Sequence, residues 1–181
     1  MNRRIFLSRR WLSAIMSSVL LSACSAPQVQ DYATQTPVLE LRDYFNGTLD
    51  AYGLFTDRSG KVVKRFTVLM NCHWQGDAGV LDEAFSYSDG STQRRVWRLT
   101  RHADGQYTGQ ADDVVGSAQG EQSGNAFHWT YTLALPVDGR VIEVQFDDWM
   151  YLMNDRLMLN KAAMGKWGVG LGEVTLSFVK R

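Results

Sequence analysis

Apolar and polar residues alternate along most of this chain from Phe45 onward. Turn-forming residues interrupt the alternation about every ten residues, which is typical of consecutive β-strands. Aromatic and β-branched residues are frequent in the alternating stretches, and proline is almost absent from them. We therefore predict strands over residues 46–56, 61–73, 79–87, 93–101, 106–114, 117–123, 126–135, 139–149, 150–159 and 172–180.

The residues between these stretches favour tight hairpins. Asp-Gly pairs stand at 89–90, 104–105 and 138–139, and such pairs tolerate the positive φ angles of hairpin turns. Strands and helices do not alternate, which disfavours a parallel sheet. Residues 160–168 are predicted as a short helix or an irregular loop, and residues 38–45 as a short helical turn that leads into the domain.

A long series of antiparallel strands with short turns predicts an up-and-down meander. A meander removes its unpaired edges by closing into a barrel. The predicted fold class is therefore all-β, with about eight to ten strands forming a closed barrel that holds one small ligand or is filled by side chains.

The first residues have the layout of a secretory signal. Four arginines accompany an apolar run from Trp11 to Leu21, which is too short to span a bilayer. The tetrapeptide Leu21-Ser22-Ala23-Cys24 resembles the lipobox of bacterial lipoproteins. That resemblance implies a signal peptide over residues 1–23, lipidation of Cys24 and, because Ser25 follows, a lipid anchor on the periplasmic face of the outer membrane. Residues 24–39 are predicted as the lipidated cysteine and a polar tether, and residues 40–181 as the barrel.

The charge balance argues against a nucleic-acid partner. The first 23 residues contain four of the 19 basic residues and none of the 19 acidic ones, so the remainder carries a net charge of −4. A protein that neutralises phosphates needs a basic surface, and none is visible here. Outside the signal, no apolar run is long enough to span a bilayer, so the predicted membrane partner is reached through the anchor.

Cys72 has no disulfide partner if Cys24 is lipidated. It lies in an alternating apolar row between Met70 and Trp74, which predicts a packed thiol rather than a reactive one.

Three charged residues fall in rows that alternation places inside the barrel. Asp148 lies between Phe146 and Met150, Glu83 follows Leu81, and Arg95 precedes Trp97. Burying a charge is costly unless it is paired, so the functional interpretation is a polar patch that orients the head group of an amphiphilic ligand, with Arg95 meeting a carboxylate or phosphate. Two other interpretations stay open: a buried structural ion pair, or a one-residue shift near Asp148 that would expose this carboxylate.

Aromatic side chains share these interior rows. Trp97, Trp129 and Tyr131 complete the set of candidate ligand-binding residues, together with Glu83, Arg95 and Asp148. Core packing explains most of the tryptophans, but a cavity lined by aromatic rings also suits an acyl chain of a fatty acid or phospholipid.

Motifs for catalysis, metal binding or cofactor binding are absent from the sequence. The three histidines lack the spacing of a zinc site, and no nucleophile elbow, phosphate loop or dinucleotide fingerprint occurs. Asp147 and Asp148 point to opposite faces of a strand, as do Asp112 and Asp113, so neither pair can share a proton. The sequence therefore assigns no catalytic residue by motif, and it predicts no metal and no cofactor.

Five segments resemble a family of bacterial envelope lipoproteins known only as a domain of unknown function. The segments are Val96-Trp97-Arg98, Asp112-Asp113-Val114-Val115-Gly116, Leu135-Pro136-Val137-Asp138-Gly139-Arg140, Phe146-Asp147-Asp148-Trp149-Met150-Tyr151-Leu152 and Gly172-Glu173-Val174-Thr175-Leu176. The resemblance covers residues 40–180 and implies an envelope lipoprotein without a known mechanism. The predicted architecture is similar to that of lipocalin-like barrels, which implies ligand binding by analogy.

These observations predict an outer-membrane lipoprotein whose barrel binds a hydrophobic or lipid ligand. One alternative is an enzyme that modifies envelope lipids, with Asp148 or Glu83 as its acid or base. The other is a structural or assembly lipoprotein with a filled barrel and an exposed apolar patch.

Overall fold

The computed structural model describes residues 26–137 and 139–181, and ten antiparallel strands make up most of this length. A short 3-10 helix (Val29–Tyr32) and one turn of α-helix, α1 (Leu41–Tyr44), come before the first strand. The α1 turn lies within residues 38–45, where the sequence predicts a short helical turn, whereas the 3-10 helix falls in the segment predicted as a tether. The strands are β1 (Gly47–Asp57), β2 (Val62–Gln75), β3 (Ala78–Tyr87), β4 (Thr92–Arg101), β5 (Tyr107–Gln110), β6 (Ala118–Ser123), β7 (Ala126–Val137), β8 (Arg140–Leu152), β9 (Leu157–Lys166) and β10 (Val169–Lys180). The predicted signal peptide and the predicted lipidation site, Cys24, lie outside the described residues.

The strands form a closed barrel in which each one pairs with its neighbours in the chain. The last strand returns to the first, with Ala51 of β1 opposite Phe178 of β10, so that every strand has two partners. Hairpin tips supply the necessary reversals: Gly60 and Gly90 adopt φ angles of 85° and 84°, which other L-residues rarely do. The predicted all-β, up-and-down barrel is thereby confirmed.

Two local predictions are wrong. Residues 160–168 were expected to form a helix or loop, and a break was expected after residue 149; instead β8 continues to Leu152 and β9 runs through Leu157–Lys166. The reversal falls at Asn154, whose side-chain oxygen accepts the backbone N–H groups of Arg156 and Leu157, both at 2.9 Å. The inward positions of β9 include the polar Asn160 and the small Ala162, so the sequence of this strand shows no clear alternation of large apolar residues.

The fifth strand is also shorter than the prediction of residues 106–114. It ends at Gln110, and the chain turns inward through Asp113. Val114 then forms a single bridge with Leu133 of β7, so this loop is fastened to the barrel wall. A hydrogen bond from the N–H of Ala134 to the carbonyl of Asp113, at 2.8 Å, supports the same attachment.

One end of the barrel is closed by the segment that precedes β1. Leu39, Leu41 and Phe45 are almost fully buried, and the Phe45 ring meets that of Phe178 at 5.1 Å. The Tyr44 hydroxyl donates to the carbonyl of Phe178 at 2.9 Å. We call this the closed end.

The opposite end, which we call the mouth, is formed by four hairpins and one loop, at residues 57–62, 87–92, 137–140, 166–169 and 110–118. Apolar side chains near the mouth are only partly buried, among them Phe55, Leu135, Ile142 and Leu176. Access to the interior is therefore greater from this end.

The segment predicted as a polar tether lies partly against the barrel. Val29 and Leu39 are each only 1% exposed. The hydroxyls of Tyr32 and Tyr151 are 3.2 Å apart, and the Leu39 N–H donates to the carbonyl of Gly124 at 2.8 Å. Any free tether is therefore shorter than the sequence alone predicts. Within the described ranges, no helix has the length and apolar character needed to cross a membrane.

Candidate functional site

The alternation of each strand places one row of side chains inside the barrel. These rows leave a cavity of about 180 Å³, lined mainly by apolar and aromatic residues. All six interior residues singled out from the sequence line this cavity: Glu83, Arg95, Trp97, Trp129, Tyr131 and Asp148. Their shared location does not by itself assign a ligand.

Stacked aromatic rings form one wall of the cavity. Tyr131 and Phe146 lie almost parallel with their centroids 4.9 Å apart, and Trp97 meets Tyr131 at 5.4 Å and Trp129 at 5.8 Å, both edge to face. The Trp129 ring lies over Gly120, where a β-carbon would overlap it. The close approach of this ring therefore depends on glycine at that position.

Arg95 forms an ion pair with Asp113, an acid that was not among the residues predicted to face the interior of the barrel. Its guanidinium forms a bidentate ion pair with Asp113, with Nη2 2.7 Å from Oδ2. The two side chains are 14% and 24% exposed. Burial alone would lower the pKa of Arg95, but Asp113 and the charge of Glu83 raise it overall, so Arg95 stays charged. Of the interpretations left open by the sequence, a buried ion pair therefore describes Arg95, but its partner is Asp113 rather than Glu83 or Asp148.

Glu83 faces the same region without such a partner. It lies opposite Arg95 in the β3–β4 register and is 9% exposed, but no described residue forms a hydrogen bond or salt bridge with its carboxyl group. Burial raises the pKa of Glu83 to about 7, against the opposing effect of Arg95. Near neutral pH, both the protonated and the ionised forms of this carboxyl group are therefore populated while it faces the cavity.

Asp148 is the second interior carboxyl group. It is 6% exposed, which excludes the one-residue shift that would have put it in water. The Tyr131 hydroxyl donates to its Oδ2 at 3.3 Å, and the Asn160 amide donates to its Oδ1. Burial raises the pKa of Asp148 to about 7 although both hydrogen bonds favour the charged form.

Sequence reasoning missed Asp113 and Asn160. Asp113 falls within the predicted strand 106–114, but β5 ends at Gln110 and Asp113 lies in the loop that follows, where the alternation of a strand does not determine its position. Asn160 could have been found from its position between Met158 and Ala162, both buried, had the period of two been followed through β9.

The described residues contain no group of three or more histidine, cysteine, aspartate or glutamate side chains arranged to bind a metal ion. Cys72 is buried, and burial raises the pKa of its thiol to about 12, consistent with the packed thiol that alternation predicts. His128 is on the outer face, where its ring stacks on Trp149 at 4.2 Å. None of these residues extends the site.

Two solved structures share the barrel fold. An S-type phycobiliprotein lyase, CPES, from Guillardia theta superposes with a TM-score of 0.59 at 10% sequence identity, covering 86% of this chain and 98% of the other. A protein of unknown function from the DUF3598 family of Nostoc punctiforme superposes with a TM-score of 0.51 at 11% identity, covering 81% of this chain and 51% of the other. At these identities the comparison establishes the lipocalin-like barrel fold alone.

A search of curated protein sequences finds no match to this chain. A family model, however, matches residues 18–180, almost the entire length. This match includes all five segments on which the resemblance to a domain of unknown function rests. The chain belongs to the family described as Protein of unknown function (DUF3833).

Proposed function

We propose that this protein is a lipid-anchored outer-membrane lipoprotein whose barrel binds one slender amphiphilic molecule, such as a fatty acid or one acyl chain of a phospholipid. The observation that carries the proposal is the apolar, aromatic cavity with ionisable groups inside it. A barrel that served only as a scaffold would gain stability by filling this space with side chains.

The cavity volume limits the ligand. An apolar cavity of about 150 Å³ accepts benzene, whereas sites for drug-sized ligands occupy about 300–1,000 Å³. The cavity of about 180 Å³ therefore suits a narrow apolar group rather than a whole phospholipid. A larger lipid would leave its remaining parts outside the mouth.

The polar end of the ligand has two partners within the cavity. Asp113 occupies Nε and Nη2 of Arg95, which leaves the Nη1 donors of the guanidinium without a hydrogen bond to any described residue. Glu83 can donate when protonated and accept when ionised. A carboxylic acid or hydroxyl group would satisfy both residues.

A pair of neighbouring alanines on β9 allows a direct test of binding. Ala162 lines the cavity and is 2% exposed, whereas Ala163 points outward and is exposed. Ala162→Leu should fill the cavity and weaken binding of a fluorescent fatty acid by at least about tenfold, and Ala163→Leu should leave binding unchanged. Equal binding by both variants would place the ligand elsewhere.

Mass spectrometry of envelope-purified protein should find a co-purifying lipid, and a purified barrel without bound or exchangeable lipid would refute the proposal.

Lipidation of Cys24 is tested separately from ligand binding. Cells fed an alkyne-labelled fatty acid should label the wild-type chain and the Cys72→Ser variant but not Cys24→Ser. Labelled protein should then fractionate with the outer membrane. Label retained in Cys24→Ser, or fractionation with the inner membrane, would contradict this part of the proposal.

A second candidate function is acid–base catalysis on an envelope lipid. Two interior carboxyl groups with pKa values near 7 favour it, because a general acid or base works best when its pKa lies near the working pH. The similar fold of a protein named as a lyase makes the barrel compatible with enzymatic activity. Turnover of a bound lipid that disappears in Glu83→Gln or Asp148→Asn while lipid binding persists would favour the enzyme. Intact lipid recovered after prolonged incubation would favour the binding protein.

A further inference from the structure

Exposed apolar side chains gather on three hairpins at the mouth of the barrel. Trp167 is 88% exposed and Val141 is 70% exposed. Single exposed apolar residues are common, but a cluster of them marks an interaction site. The complete set, which we call the apolar arc, consists of Val62, Val63, Val137, Val141, Trp167, Val169 and Leu171.

The three hairpins are neighbours around the rim. They connect β1 to β2, β9 to β10 and β7 to β8, and the pairing of β1 with β10 and of β8 with β9 places them side by side. The rest of the rim is more polar. The β3–β4 hairpin carries Ser88, Asp89 and Ser91, and the loop between β5 and β6 carries Asp112, although Val115 of that loop is 43% exposed. The rim therefore has one apolar side and one more polar side.

Trp167 stands at the tip of the β9–β10 hairpin with a φ angle of 52°. Few bulky residues adopt this conformation, because it crowds the β-carbon against the backbone. The Lys166 ammonium lies 4.6 Å from the centre of the Trp167 ring. An exposed tryptophan beside a lysine is the combination that settles at the boundary between lipid head groups and acyl chains.

Basic residues accompany the apolar arc. Arg58 and Lys61 lie on the first of its hairpins, Arg140 on the second and Lys166 on the third. Among the residues that the structure describes, Arg58, Lys61 and Lys166 form no ion pair with an acid. Their charge matches the anionic head groups of a phospholipid surface, which attract lysine and arginine.

We propose that the apolar arc docks the mouth of the barrel onto a phospholipid bilayer that contains anionic lipid. This docking is a second membrane contact, separate from acylation of Cys24, and it does not depend on a ligand in the cavity. It would bring the mouth next to the acyl chains, so that an apolar molecule could enter the barrel without crossing bulk water.

The test uses residues 26–181, which contain both helices and all ten strands of the closed barrel and lack the anchor. This protein should co-sediment with vesicles of phosphatidylethanolamine and phosphatidylglycerol in equal amounts. Trp167→Ser should weaken the partition coefficient by about tenfold, since it removes the largest apolar side chain of the arc. Trp167→Phe should retain most of the binding. Brominated lipids should quench less of the fluorescence of Trp167→Phe than of the wild type.

Met153→Ser is the matched control, because Met153 is 50% exposed in a hairpin at the closed end. It should bind vesicles like the wild type. Ala162→Leu should also bind normally, so that a failure of the cavity proposal is distinguishable from a failure of docking. The proposal would be overturned if the wild type did not bind vesicles, or if Trp167→Ser bound them as well as the wild type does. It would also be overturned if the wild type formed a dimer through the apolar arc and Trp167→Ser lost this dimer without losing vesicle binding.

Discussion

Arg95 holds Asp113 against the inner wall of the barrel, with its Nη2 2.7 Å from Oδ2 and its Nε 3.0 and 3.1 Å from the two carboxylate oxygens. This ion pair connects the loop after β5 to the interior face of β4. It also neutralises the one cationic side chain among the described residues that line the cavity. The loop is thus tied to the same residue that could bind the head group of a ligand.

Removing the charge of Asp113 should destabilise the protein. Asp113→Asn leaves the guanidinium of Arg95 largely buried without its counter-charge, and breaking such a pair costs about 3 kcal/mol of the free energy of unfolding. Urea denaturation followed by circular dichroism measures this loss. Asp112 is the adjacent exposed acid, and Asp112→Asn should change the free energy by less than about 0.5 kcal/mol. Equal effects of the two substitutions would contradict a specific role for the ion pair.

Glu83 should make the protein less stable as the pH rises. Burial raises the pKa of Glu83 from 4.5 to about 7, so the folded state retains a proton that the unfolded state has already released. The free energy of unfolding should therefore fall between about pH 4 and pH 7, by on the order of 2–3 kcal/mol for this residue. Below about pH 4 the group is protonated in both states and the penalty is absent.

Glu83→Gln should remove this component of the slope, so that above about pH 7 the variant is more stable than the wild type. The exposed Glu143 offers a control, and Glu143→Gln should keep the wild-type profile. Denaturation curves at several pH values between 4 and 9 give the comparison. A Glu83→Gln profile parallel to that of the wild type would show that Glu83 does not titrate in this range.

Asn160 should stabilise the protein chiefly by holding Asp148. Its amide donates to Asp148 Oδ1 and, at 3.1 Å, to the carbonyl of Trp149. Asn160→Leu removes both hydrogen bonds and should cost about 1–3 kcal/mol. Because the lost bond favoured the charged carboxylate, the cost should be larger at pH 9 than at pH 5.

A double-mutant cycle with Asp148→Asn isolates the coupling between Asn160 and Asp148. Exposed Asn71, on the outer side of β2, provides a control in Asn71→Leu, which should show little dependence on pH. A cost of Asn160→Leu that is identical at pH 5 and pH 9 would show that Asp148 does not change its ionisation there.

Replacing Gly120 should disturb the aromatic wall of the cavity, where the Trp129 ring packs directly over this glycine. A β-carbon at this position would overlap the rings of Trp129 and Phe127, so Gly120→Ala must displace one of them. Overpacking of this kind costs about 1–3 kcal/mol, and the fluorescence of Trp129 should shift as its surroundings change. A β-carbon on Gly170 meets nothing within 4 Å, and Gly170→Ala should leave both stability and fluorescence nearly unchanged. An unshifted spectrum and unchanged stability in Gly120→Ala would show that the wall accommodates the extra methyl group.

The interior position of the six candidate residues was predictable because a β-strand alternates faces with an invariant period. Glu83, Arg95 and Asp148 could each be assigned to the inside from their neighbours in the chain, and the structure places all three on the cavity. The position of Asp113 was not predictable by this route, because it follows the early end of β5, where the period no longer applies. Asn160 was missed for another reason: short and polar inward residues in β9 weaken the pattern that identifies a strand.

The sequence by itself determined the order of the strands in the meander and the direction of most side chains. These follow from local alternation and from short turns, which act between neighbours in the chain. Only the tertiary structure decided that Asp113 rather than Glu83 neutralises Arg95, that a cavity of about 180 Å³ remains, and that the apolar arc forms on one side of the mouth. The ion pair depends on where β5 ends and how the following loop folds back onto β4. The cavity and the apolar arc depend on how strands distant in the chain close and pack as a barrel rather than on any local pattern.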